Sequence, residues 1–212
     1  QFLLDRLGKY RLPILLSVMA LVLYFNLGAW SVTESSEARY AEIGKEMLET
    51  GDWMHPRLMG IHHYHKPPVT YWITAMAYQW LGVSPFAARF FLQLAALLQV
   101  FLVYRIALLL IGDERKAFLS SMLYASMPIL LIGTRALTTD VYLTTFVLSG
   151  LYFSLLYRET SQGWAQVLSF LAYGFGFLTK GPVVWIVPVV VDLVDRIRNK
   201  RRFSFTWSWG VG

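Results

Sequence analysis

Residues 12–30 form a run of nineteen positions without one charged side chain. A water-exposed helix of that length keeps a polar face, whereas a bilayer core about 30 Å thick asks for roughly 20 mostly apolar residues per helix. Further runs follow at 86–111, where Arg89 and Arg105 lie near the ends and can snorkel, and at 117–134, 141–157, 164–179 and 182–194. Hydrophobic residues make up 56% of the 212 and charged residues 15%, against about 25% charged in an ordinary soluble domain. That composition excludes a disordered chain. Cysteine is absent, which excludes disulfides, thiolate zinc sites and a thiol nucleophile.

The sequence therefore predicts an all-α, polytopic membrane protein with about six transmembrane helices. The formal charge of +6 fits membrane topology better than nucleic-acid binding. Arg6, Lys9 and Arg11 precede the first run, and Arg196, Arg198, Lys200, Arg201 and Arg202 follow the last. Cytoplasmic flanks are enriched in Lys and Arg. Counting 164–179 and 182–194 as two spans puts both clusters inside, whereas a single kinked helix would put the second outside. The aromatic end at 203–209 reads as the opening of another membrane segment, and the chain as the front of a longer protein.

The first outside connection, residues 31–85, is too long for a simple loop. Residues 37–50 read as a helix with Ser36 as N-cap, Gly51 as stop and an apolar stripe of Tyr40, Ile43, Met47 and Leu48. Pro67 and Pro68 suit the start of another. That second helix is short and aromatic, with Tyr71, Trp72, Tyr78 and Trp80, and reads as interfacial. Trp53 and Trp72 read as interface anchors.

Sorted by predicted side, the ionisable residues are uneven. Glu37, Arg39, Lys66, Arg135, Asp140 and Lys180 fall outside, with all four histidines between positions 55 and 65. A carboxylate can act as general base towards an acceptor hydroxyl, and Lys and Arg stabilise charge on a phosphate leaving group. His62, His63 and His65 could bind Zn²⁺ as neutral imidazoles, although the spacing matches no standard zinc site. A divalent metal, Zn²⁺ or Mg²⁺/Mn²⁺, is the one cofactor raised.

Five stretches add a resemblance. They are E-A-R-Y-A-E-I-G-K-E-M-L-E-T-G-D-W-M-H-P from Glu37, H-K-P-P-V-T-Y-W from His65, A-A-R-F from Ala87, T-T-D-V-Y-L-T-T-F from Thr138 and L-T-K-G-P from Leu178. In this order they resemble the N-terminal half of GT-C type membrane glycosyltransferases that use lipid-linked sugars, the bacterial aminoarabinose and mannosyltransferase-like branch. The resemblance implies a polyprenyl-phosphate-linked sugar as donor and a lipid, glycan or protein acceptor, with lipid A modification in one branch. It implies inverting transfer at the extracytoplasmic face of the bacterial inner membrane. It assigns Glu37 and Asp140 as catalytic carboxylates and Arg39 and Lys66 to the donor phosphate, with Arg135 and Lys180 added on charge and position. The family pattern has an Asp-Glu pair where this chain has Ser36-Glu37, and an acidic residue that can hold a metal where it has His65.

Two other classes compete. A transporter or lipid flippase predicts ionisable or broken-helix sites near mid-membrane. A non-catalytic scaffold predicts tolerance of substitutions at Lys66 and Asp140.

Overall fold

The structure is a computed structural model, and it describes residues 10–33 and 35–198. Arg6, Lys9, Glu34, Lys200, Arg201, Arg202 and the aromatic stretch 203–209 lie outside the described residues. Helices dominate: α1 (Arg11–Tyr24), α2 (Ser35–Thr50), α3 (Val69–Leu81), α4 (Pro85–Ile111), α5 (Glu114–Ala125), α6 (Pro128–Gly133), α7 (Thr139–Thr160), α8 (Gly163–Lys180) and α9 (Ile186–Arg198). One small hairpin, β1 (Arg57–Leu58) with β2 (Ile61–His62), interrupts them in antiparallel register Arg57↔His62 and Leu58↔Ile61.

By length and composition, three apolar stretches can cross a membrane: Pro85–Ile111, Thr139–Thr160 and Gly163–Val194. Many of their apolar side chains face outward, among them Leu94, Leu98, Phe170, Phe175, Val187 and Val190. An outward apolar surface of this extent suits lipid rather than water.

The third stretch is broken in the middle. Gly181 takes φ +77°, open to glycine without a Cβ penalty, and a 3₁₀ turn follows over Gly181–Trp185. The chain then folds back. Tyr173 and Trp185 bring their ring centroids to 5.2 Å, and a Cβ on Gly176 would sit 2.6 Å from Val184 Cγ2. At the far end Arg158 of α7 pairs with Asp192 of α9 at 3.5 Å. Helices α8 and α9 are thus two segments divided by the 3₁₀ turn.

The expected span 117–134 is not one helix. Pro128 lacks an N–H and disfavours a helical residue before it. Met127 is accordingly extended, at φ −66° and ψ 127°, between twelve-residue α5 and six-residue α6. The first expected span is helical only over the fourteen residues of α1.

Helices α2 and α3 pack on the N-terminal half of α4. Their shared core holds Tyr40, Ile43, Met47, Tyr71, Ala75, Tyr78, Ala88 and Leu92. Gly44 lets α2 approach closely, since a Cβ there would lie 2.8 Å from Thr74 Cγ2. Helix α3 is therefore a core helix of this layer, because one aromatic face is covered on both sides, and it exposes mainly its end at Trp80 and Leu81. Trp72 Nε1 donates to Trp53 O at 2.6 Å, which ties the loop after α2 to α3.

The hairpin was not foreseen. Its turn holds Met59 at φ +54° and Gly60 at φ +78°, the two positive values a tight two-residue turn needs. Methionine is unusual there. Glu46 of α2 supports it by accepting both turn amides, Met59 N and Gly60 N.

Candidate functional site

The sequence-predicted residues separate into a closed group and an open one. Glu37, in the first turn of α2, is buried at 2% exposure. Its Oε1 accepts from Arg89 Nε at 2.7 Å and from Leu137 N at 2.8 Å, and its Oε2 accepts from Arg89 Nη2 at 2.7 Å. A general base needs a lone pair open to the proton it removes. Glu37 has its oxygens committed to three N–H donors, so the expected base role does not fit this geometry.

Arg89 is the residue that sequence reasoning misplaced. It was expected to snorkel from a helix end, yet it is 3% exposed. All five of its N–H donors are used. Besides the bidentate bond to Glu37, Nη1 donates to Leu27 O at 3.2 Å and Trp30 O at 2.9 Å, and Nη2 to Ser31 O at 3.3 Å. One signal was present. Glu37 lies three, four and seven positions before Tyr40, Ala41 and Gly44, all buried in α2. A carboxylate on that stripe demands a buried cation.

Arg135 is also engaged. Its Nη1 donates to Phe25 O at 2.9 Å and its Nη2 to Val22 O at 3.0 Å. It covers carbonyls left over at the end of α1, a favourable place for a cation. The expected phosphate contact therefore has a competing partner.

Asp140 and Lys180 meet as an ion pair. Asp140 sits in the first turn of α7 and Lys180 in the last turn of α8, each at the helix end where the macrodipole favours its charge. The carboxylate side chain is 65% exposed and the lysine 29%.

Arg39 and Lys66 differ from the other cations. Both are half-buried, and neither has a hydrogen bond or ion pair to another described residue. Around Arg39 stand polar groups without partners. The Tyr71 hydroxyl and His63 Nε2 are buried and unbonded among the described residues. Burial lowers the His63 pKa, and the positive charge of His65 and Arg39 adds to the shift. Burial also lifts the Tyr71 hydroxyl to about 12, with Tyr40 acting in the same direction and Arg39 against it. An anion placed here would meet Arg39 and two orphaned polar atoms.

The histidine metal site does not fit. No group of three or more His, Asp or Glu side chains converges among the described residues. His62 stacks on Tyr64 at 5.7 Å and meets His55 at 6.1 Å, while His63 faces His65 at 4.3 Å. His62 and His63 are thus drawn into different ring contacts. His55 is occupied elsewhere too, its Nδ1 lying 3.0 Å from Asp52 Oδ1.

A helical scaffold with three stretches long and apolar enough to cross a membrane defines a class, the helical membrane proteins. Comparison with known proteins narrows it. Residues 65–211 match the family model described as dolichyl-phosphate-mannose-protein mannosyltransferase, and the chain belongs to that family. It is 35% identical over 208 residues to the undecaprenyl phosphate-alpha-4-amino-4-deoxy-L-arabinose arabinosyl transferase 1 of Pseudomonas fluorescens, covering 96% of this chain and 38% of that protein. The corresponding transferase of Aeromonas hydrophila is 37% identical over 201 residues, with 92% and 36% covered.

Among solved structures, the chain is similar to ArnT from Cupriavidus metallidurans. The apo form superposes with TM-score 0.80 at 26% identity, over 88% of this chain and 36% of that one. The form bound to undecaprenyl phosphate gives 0.81 at 25% identity, with 88% and 35% covered. The chain thus spans little more than a third of the length of these relatives.

Proposed function

We propose that this chain is the donor-binding part of an integral-membrane glycosyltransferase that takes a sugar from an undecaprenyl-phosphate carrier and transfers it to an envelope acceptor, a lipid such as lipid A first. The observation that carries the reading is half-buried Arg39, without a protein anion and beside the orphaned Tyr71 hydroxyl and His63 Nε2, with half-buried Lys66 three residues after His63 likewise unpaired among the described residues. Cations left unpaired in a partly dry site favour an anionic ligand. The relative solved with undecaprenyl phosphate supplies the kind of anion, and the arabinosyl transferase names of the relatives make a pentose the first sugar to test.

Residues 31–85 then lie on the extracytoplasmic side of the bacterial inner membrane. About six spans carry the chain back and forth, with α9 returning to the cytoplasmic face. Arg39 and Lys66 hold the donor phosphate. The acceptor oxygen attacks the anomeric carbon opposite the carbon–oxygen bond to phosphate. That bond breaks, its electron pair goes to the phosphate oxygen, and the two cations stabilise the charge. Inversion follows from attack on the opposite face. Asp140, open and partnered by Lys180, orients the acceptor and takes its proton when the acceptor is a hydroxyl. An acceptor phosphate needs no base, and Asp140 then acts by position. Residues of the relatives beyond the part matched here are expected to complete the acceptor side.

A transporter would be expected to carry ionisable groups at mid-span. The polar set shared by α4, α5 and α7 is neutral: Tyr124 Oη donates to Gln99 Oε1 at 2.6 Å, and Gln99 Nε2 to Val141 O and Thr145 Oγ1, both at 2.8 Å. The test is transfer from a radiolabelled undecaprenyl-phosphate sugar by the whole protein. Lys66→Ala and Arg39→Ala are expected to raise KM for the donor, and Asp140→Ala to lower kcat. Undiminished transfer in all three would sink the reading.

A further inference from the structure

We infer that the buried Glu37–Arg89 pair is a positioning device that sets Asp140 and Arg39 in register with each other. The inference rests on the roles just proposed for those two residues. Arg89 stands in the first turns of α4, an N-terminal half that is buried at Ala87, Ala88, Leu92 and Gln93. Its fork fixes Glu37 through two bonds of 2.7 Å. Glu37 in turn fixes two things.

The first is α2, on which Arg39 follows two positions later. The second is the linker before α7, held through Leu137 N at 2.8 Å. Asp140 comes three residues after Leu137. The same linker is held a second time from α4, where Gln93 Nε2, one turn beyond Arg89, donates to Thr134 O at 2.7 Å. One carboxylate therefore bonds the donor side to the carboxylate side, through Arg89 and Leu137 N.

Stability alone is a weak reason for such a pair, because a buried ion pair replaced by well-packed apolar residues is often neutral or stabilising. What an apolar replacement cannot do is reach Leu137 N and three carbonyls at once. Displacement of a reacting group by 1 Å can cost about 10²-fold in rate. The geometry thus gives Glu37 and Arg89 an effect on turnover that reaches the reaction only through Arg39 and Asp140.

Two gentle variants of the whole protein test this. Arg89→Lys keeps the charge and loses the fork. Glu37→Gln keeps the shape and removes the charge. Two readouts are needed. In donor kinetics, kcat is expected to fall at least about tenfold while KM for the undecaprenyl-phosphate sugar moves less than about threefold. Spin labels can be set on introduced cysteines at exposed Glu49 of α2 and Thr144 of α7, with any cysteine outside these 212 cysteine-free residues replaced by serine. Their distance distribution is expected to be narrow in the parent and broadened in both variants. A distribution that stays narrow in both overturns the inference whatever the kinetics. So does a loss confined to KM. A parent protein inactive with every undecaprenyl-phosphate sugar overturns the proposed function instead, and the label distances still decide the role of the pair.

Discussion

Glu37–Arg89 and Asp140–Lys180 are both carboxylate–cation pairs, and both join residues far apart in sequence, by 52 and 40 positions. Their surroundings differ. The side chains of the first pair are 3% and 4% exposed and all donors of the arginine are used. Those of the second are 65% and 29% exposed. In the first, water cannot replace a lost partner, so the pair acts as a joint. In the second, solvent or substrate can exchange for either partner, so the charges remain usable. Burial, rather than residue type, separates architecture from chemistry here.

The contrast can be broken most forcefully from its closed side. Arg89→Ala leaves Glu37 buried without a cation and is expected to cost about 3–5 kcal/mol, read as a large fall in the thermal midpoint in detergent or as failure to accumulate. Gly44→Val drives a side chain into Thr74 and the Ala75 amide, 2.8 and 3.3 Å from the Cβ position. It should separate α2 from α3 at about 1–3 kcal/mol and speed proteolysis of the loop.

Glu46→Ala frees two turn amides that water can reach, so about 1 kcal/mol is expected. Faster amide exchange confined to 57–62 would show it. Asp140→Asn, on the open side, should shift stability by under about 1 kcal/mol and still reduce turnover. A large loss of stability there would erase the distinction between the pairs.

The smallest effect is on pH. The fold lowers the His63 pKa from its ordinary 6.5, through burial first, then His65 and Arg39. Between the ordinary and the lowered value the unfolded chain binds more protons than the folded one. The contribution is therefore intact above about pH 6.5 and is lost as pH falls below it. NMR of labelled histidine should place the His63 midpoint below that of a free imidazole.

Much of the helical plan was legible. Apolar runs marked α4, α7 and α8, and the Pro67–Pro68 and Gly82 signals bounded α3. What escaped depended on partners distant in sequence. Nothing near Arg89 announces a carboxylate 52 residues away, so its place near a helix end suggested snorkelling. The break before Pro128 was visible as a proline, but uniform hydropathy on both sides concealed that two helices stand where one was expected. The hairpin escaped because methionine hides a turn that asparagine or glycine would advertise. In the candidate site, residue types were readable and their commitments were not. Arg39, Lys66, Arg135 and Lys180 look alike as letters, and only packing divides the occupied from the free.

The bonds from Arg135 to Val22 and Phe25, and from Arg89 to Leu27, Trp30 and Ser31, also bear on how the chain is made. These carbonyls at and after the C-terminal end of the first helix are covered by side chains that emerge from the ribosome 58 to 113 residues later. Until then they must be met by water or by the insertion machinery. The first helix therefore completes its C-terminal end late, and a nascent chain stopped before Arg89 would hold that end unsealed.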